Sequence, residues 1–246
     1  MHKKLYGILF GIFLLILWQL LAMLINAGFI LPTPVSVLAH LYENFYELMT
    51  VHFVITMQVV LIGGLLSVVL GVALAILMTV SSGLERAIYP ILTVTQTIPT
   101  VCLAPIFVLW FGYTVKMRIF MVVLMNFFSI TVNVYDGFSS VSREQTELLA
   151  TYGADPMQQF FMLKVPTALP YFFTSLKVSL PWAVVAAAVA EWFGAPGGLG
   201  NYSRIRMMSL DSAGLLAPLV ILSVTALLIS AVIKYIEKKV VTWKES

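Results

Sequence analysis

The sequence has little of what a soluble enzyme needs. Charged residues fill 10% of its 246 positions and hydrophobic ones 61%, with several apolar runs near twenty residues long. Such a chain belongs in a bilayer, and spans with short connections use up its length, leaving no room for a soluble catalytic domain. Cysteine occurs once, as Cys102 in an apolar segment. That excludes an intrachain disulfide or a cysteine metal site and leaves an inert buried thiol as the expectation. The three histidines, His2, His40 and His52, stand apart near span ends, where solvated side chains are commoner than metal ligands. No HExxH, no GxSxG and no paired intramembrane aspartates occur, so hydrolase or protease chemistry has no footing. There is no GxxxxGK(S/T) loop either. The Gly-rich GAPGGLGN, residues 194–201, lacks the lysine and follows a membrane helix instead of a strand, so no ATP or other cofactor is expected on this chain. The net charge of +3 comes from scattered basic residues, not from the single patch that nucleic acid requires.

Spans are predicted near 5–26, 53–80, 88–112, 117–135, 171–193 and 214–235, an all-α, polytopic helix bundle of six transmembrane helices forming one domain over 1–246. The first run follows His2-Lys3-Lys4. Its apolar core is too long for a signal peptide and no small-x-small cleavage site follows, so 5–26 reads as a retained helix. With the N-terminus inside, Lys3, Lys4, Arg86, Arg143, Lys164, Lys234, Lys238, Lys239 and Lys244 fall on inner segments, and Lys116, Arg118, Arg204 and Arg206 on outer ones. This bias of nine against four places both termini in the cytoplasm. After Pro32 and Pro34, the helical spacing of Val35, Leu38, Leu41, Tyr42, Phe45 and Met49 predicts an amphipathic helix at the outer interface.

Small residues recur every four positions in the second span: Gly63, Ser67, Gly71, Ala75 and Thr79. They predict close helix packing, as do Gly7 and Gly11 in the first span and Ala183, Ala186, Ala187 and Ala190 in the fifth. Pro90, Pro99 and Pro105 interrupt the third span, with Thr93, Thr95, Gln96 and Thr97 between them. Such a pattern suits either a kinked packing helix or one lining a cavity. Asn126 and Asn133 in the fourth span pose the same choice between lining the path and bonding between helices, the latter being the expectation. Glu191 falls inside the fifth span near its outer end, which poses a functional role against one of reaching the headgroups. Gln96, Thr97, Lys177 and Glu191 are the candidate pathway residues.

One polar segment stands out between the fourth and fifth spans, SREQTELLATYGADPMQQFFMLKVP, residues 142–166. A first short helix, about 141–152, carries Val141, Leu148, Leu149 and Tyr152 on an apolar side. Gly153 suits the left-handed residue after a helix end, Asp155 an N-cap and Pro156 the first helical position. The second helix is predicted to stop at Val165-Pro166. The result is a helix–turn–helix suited either to docking a soluble partner or to being a solvated loop.

The spacing Glu147, Gly153, Leu163, Val165, Pro166 resembles the EAA motif of ABC-importer permease subunits: E-A-A, three residues, G, nine residues, I-x-L-P. Leu148 and Leu149 replace its alanines, Leu163 its isoleucine and Val165 its leucine. LPTPVSV, IPTVCLAPIFVLWFG, VPTALPYFFTSLKVS and AVAEWFGAPGGLGNY are similar to the branch handling sulfonates, taurine, nitrate and thiamine-precursor pyrimidines. The resemblance implies a type I importer core of five helices over 53–235, with 5–26 as an extra helix and 141–166 as the cytoplasmic coupling segment. It further implies a bacterial cytoplasmic-membrane protein that dimerises with a second copy, works with two ABC ATPase subunits holding ATP and Mg, and meets an extracytoplasmic substrate-binding protein. Glu147, Leu149, Ala150, Tyr152, Gly153 and Pro166 are then the ATPase-coupling residues. A passive channel or a membrane scaffold subunit is the alternative.

Overall fold

The computed structural model describes residues 2–243, and of residues 2–5 and 8 the backbone alone. Lys244, and the side chains of Lys3 and Lys4, counted above for orientation, lie outside the described residues. Among the described residues every regular element is helical: α1 His2–Ile25, α2 Pro34–Glu43, α3 Phe45–Glu47, α4 Phe53–Val80, α5 Ser82–Thr97, α6 Thr100–Phe111, α7 Val115–Ser139, α8 Arg143–Thr151, α9 Pro156–Gln159, α10 Val165–Trp192, α11 Leu199–Met208 and α12 Ser212–Val240. One wide π turn, Leu48–His52, joins α3 to α4, and another, Phe160–Lys164, joins α9 to α10. The continuous helices Phe45–Val80 and Pro156–Trp192, together with α7 and α12, are long and apolar enough to cross a membrane. The α5–α6 pair makes a fifth crossing if counted as one, and α1 adds the shorter apolar helix Leu9–Ile25. Length and composition thus give four or five crossings plus that helix, where the sequence predicts six.

The bundle is centred on α7, held between α4 and α10. The stripe of small residues along α4 is what lets α7 approach. A Cβ on Gly63 would lie 2.8 Å from the Val122 side chain, and one on Gly71 2.8 Å from that of Ile130. Ala183, Ala186, Ala187 and Ala190 of α10 are buried as well, so here small side chains do bring backbones together. Gly7 and Gly11 behave otherwise, with open space around both. Among the described residues nothing comes within 4 Å of where a Cβ on either would stand. α1 is held chiefly near its end, where the Trp18 indole donates to the Pro32 carbonyl at 3.0 Å.

Several expectations change on folding. The third span is two helices bent by 98° at Ile98-Pro99, not one kinked helix, because Ile98 before Pro99 takes an extended conformation. Pro166 does not stop a helix. Val165 is helical and the chain runs on into α10, since the wide turn before it opens the ladder where the proline ring would otherwise strike the Met162 carbonyl. Asn126 and Asn133 donate within their own helix, to Val122 and Ser129 at 2.7 Å, instead of between helices. Cys102 is exposed, not buried. In α2 the packed face is Val37 and Leu41, while Val35, Leu38, Tyr42 and Phe45 of the predicted face point outward, as an interfacial helix requires.

Candidate functional site

Residues 141–166 protrude at one end of the bundle, and local chemistry fixes their shape. Ser142 caps α8: its hydroxyl accepts from the Gln145 N–H at 3.2 Å, and the Gln145 side chain accepts from the Ser142 N–H at 3.1 Å. Arg143 and Glu147, one turn apart, pair at 2.7 Å on the exposed face. α8 closes with the Ala154 N–H reaching back to the Leu149 carbonyl at 3.1 Å and the Gly153 N–H to Ala150 at 2.9 Å. Those bonds require a left-handed residue, and Gly153 supplies it at φ +83°. Asp155 then starts α9 with a reciprocal cap to Gln158, and Pro156 takes the first turn. Two capped helices therefore meet at a fixed angle across the four residues 152–155.

Their outer surface is unusually apolar for a polar segment. Tyr152 is 84% exposed, and Leu148, Met157, Phe161 and Met162 are all more than half exposed. Leu149 is half-buried, Ala150 exposed and Pro166 half-buried at the junction with α10. Glu147, Ala150, Tyr152 and Gly153 are thus exposed, whereas Leu149 and Pro166 are half-buried.

The four candidate pathway residues are not brought together. Gln96 lines a cavity of ≈ 250 Å³ at the α5–α6 break, walled also by Thr95, Pro99, Thr100, Phe128 and Trp182. Thr97, beside it, is exposed and spends its hydroxyl on the Val94 carbonyl. Lys177 lies elsewhere, between α10 and α12, with Nζ 2.8 and 3.0 Å from the two Glu237 oxygens. Both side chains are largely covered, so each needs the other. Lys177→Met or Glu237→Gln alone is expected to lower stability by about 1–3 kcal/mol, less than for a fully buried pair, and the double variant to recover much of it. Thermal unfolding in detergent checks this.

Glu191 sits at the opposite end of the bundle from 141–166, and it is 0% exposed. It does not reach outward. Its carboxylate accepts from the Gly200 N–H at 2.8 Å and the Thr56 hydroxyl at 3.1 Å. Thr56 in turn accepts from the Leu199 N–H at 2.9 Å, and His52 Nδ1 from the Gly198 N–H at 3.2 Å. α11 has no side-chain cap of its own, so α4 and α10 cap it from outside, with a carboxylate at its positive end. Gly198, at φ +109°, makes room, because a Cβ there would overlap the carboxylate. Nearby Arg118 is 3% exposed, its Nε and Nη1 unpartnered, as is Glu191 Oε1. It is therefore not the outer-surface cation that the charge pattern suggests. His40 and His52 are not isolated either. His40 Nε2 lies 2.9 Å from the Tyr202 hydroxyl, and the His52 ring packs edge-on at 5.0 Å against Tyr202. The i, i+4 spacing of His52 and Thr56 was the available signal for this cap.

A polytopic bundle with one broken crossing, a polar cavity at the break and a rigid apolar-faced helix–turn–helix at one end has the build of a transport permease worked by an outside partner. Comparison with known proteins agrees. The chain belongs to the family of binding-protein-dependent transport system inner membrane components, the permease subunits of ABC importers, whose model matches residues 67–242. It is 41% identical over 244 residues to the formylaminopyrimidine transport permease protein ThiX of Halalkalibacterium halodurans, covering 99% of this chain and 98% of that protein. With the riboflavin transport system permease protein RibX of Chloroflexus aurantiacus it shares 29% over 163 residues, 66% of this chain and 61% of that one. Its fold matches a chain of the inward-facing MetNI methionine ABC transporter with a TM-score of 0.67 at 20% identity, over 75% of this chain and 92% of that one. The protein is thus a multi-pass inner-membrane permease of the type I importer fold.

Proposed function

We propose that this chain forms the membrane path of an ABC importer for a formylaminopyrimidine-class solute. The end-to-end match with the ThiX permease supports the substrate class, and this observation carries the reading. Two copies of the chain would enclose the path, an extracytoplasmic binding protein would deliver the solute, and two ABC ATPase subunits holding ATP and Mg would dock on 141–166. The chain itself performs no hydrolysis. Both termini and 141–166 face the cytoplasm in this reading, which the charge bias of the loops supports.

The mechanism follows from rigidity. When the ATPases close, a force applied to Glu147, Ala150, Tyr152 and Gly153 passes through the capped α8–α9 turn into α10, because helix continues from Pro156 to Trp192 without a break. α10 packs against α7 and α12 and reaches the α11 cap through Glu191, so one lever connects both ends of the bundle. That connection is what couples ATP at one face to access at the other. The test is uptake of labelled formylaminopyrimidine by proteoliposomes carrying the chain, its ATPase and its binding protein. ATP-dependent accumulation is expected; transport without ATP would favour the passive channel instead.

A further inference from the structure

The cavity at the α5–α6 break lies at mid-height. Leu124, Met125 and Phe128, which wall it from α7, are the tenth to fourteenth residues of that 25-residue helix. Broken helices near the bilayer midplane are where transported solutes find polar backbone and side-chain groups. The lining here is also chemically selective. Trp182, 49% exposed, offers an indole face, and Phe128 a second aromatic wall. Thr95 and Thr97 spend their hydroxyl protons on Leu92 and Val94 at 2.8 Å, whereas exposed Gln96 makes no hydrogen bond among the described residues. Its primary amide keeps a donor pair and an acceptor for something else.

We propose, building on the importer reading above, that this cavity is the solute subsite of the path, with Trp182 stacking on a planar nitrogen heterocycle and Gln96 reading its amide edge. A formylaminopyrimidine presents an exocyclic N–H donor and ring-nitrogen and carbonyl acceptors, and a glutamine amide, which carries both a donor pair and an acceptor, can meet the N–H and a neighbouring ring nitrogen as glutamine does at the N6/N7 edge of adenine. A ring stacked on tryptophan gains affinity without directional demands. The pocket within one copy, ≈ 250 Å³, has room for a single ring with short substituents. A compact polar aliphatic anion would find neither a cation nor a use for the indole face in this wall.

The test uses the complete importer in proteoliposomes and reads three quantities: uptake of labelled formylaminopyrimidine, ATP hydrolysis stimulated by the loaded binding protein, and thermal unfolding. Gln96→Ala and Trp182→Ala are each expected to lower uptake about tenfold, while stimulated hydrolysis and unfolding stay at the wild-type level, so that solute moved per ATP falls. Trp182→Phe is expected to recover most of the uptake because it keeps a stacking face. Unchanged uptake in both alanine variants overturns the subsite while leaving the importer reading intact. Loss of dimer or of unfolding temperature in Trp182→Ala, in step with uptake, also overturns it, and assigns the cavity to a side chain of the second copy or to lipid. A wild-type importer that accumulates no pyrimidine overturns the substrate class itself.

Discussion

With valine at Gly153, ATP-driven uptake is expected to fall by about tenfold or more while the chain still inserts and folds. The reason is torsional. Gly153 sits at φ +83°, and nothing lies within 4 Å of where a Cβ would stand, so the substituent meets no neighbour but forces a β-branched residue into the left-handed region at a cost of about 1–3 kcal/mol. The turn can escape that strain by opening, which breaks the closing bonds to Leu149 and Ala150 and swings α8 away from α9. The membrane spans are untouched; the docking surface is not. Gly153→Asn separates this account from simple sensitivity of the position, because asparagine tolerates the left-handed region and should keep most of the activity. Uptake and binding-protein-stimulated ATP hydrolysis on the reconstituted complex measure both. Equal loss in the asparagine and valine variants would mean that the side chain at 153 is itself in contact and that backbone shape is not the cause.

Glu191→Ala is expected to cost about 3–5 kcal/mol of stability, seen as a large drop in unfolding temperature in detergent. The carboxylate has no access to solvent and holds the start of α11 through the Gly200 N–H and Thr56. Alanine would leave the Gly200 N–H buried and unpaired, while the Thr56 hydroxyl keeps the His52 carbonyl at 3.1 Å. It would also remove the one charge that acts on buried Arg118 among the described residues. Glu191→Gln should fall between, since it keeps an acceptor for Gly200 but no countercharge for Arg118. An alanine variant within about 1 kcal/mol of wild type would show that water can replace the cap.

How much of this could be read from the chain depends on how local each feature is. Gly153, Asp155 and Pro156 act within three residues of themselves, so the turn and the two helices beside it were legible to within a residue or two. The stripe from Gly63 to Ala75 was legible for the same reason: it needs only a partner of any identity. Pro166 misled because a proline's effect depends on the turn before it, and the π turn Phe160–Lys164 leaves no plain mark in composition. The break at Ile98-Pro99 was marked by its proline, but not its 98° angle. α11 and its cap left only the i, i+4 spacing of His52 and Thr56 as a trace, since Glu191, Thr56, His52 and Gly200 meet only after α4 and α10 have packed. A carboxylate in a span suggested transport or headgroups. Its burial excludes the headgroups, and its bonds make it a keystone for the segment GAPGGLGN, whose glycines admit it.

The most direct test of the coupling role of 141–166 places a probe on its most exposed aromatic position. Cys102, the single native cysteine, is replaced by serine, Tyr152→Cys is introduced and labelled with a photoreactive maleimide, and membranes holding the whole importer are irradiated. Val178→Cys, exposed on α10 in the membrane span, serves as the control. The account predicts a covalent adduct between the 152 probe and the ATPase subunit, identified by mass spectrometry, and none from position 178. An ATPase that copurifies with the chain yet forms no adduct at 152, or forms it equally at 178, would contradict the assignment of this segment as the docking surface.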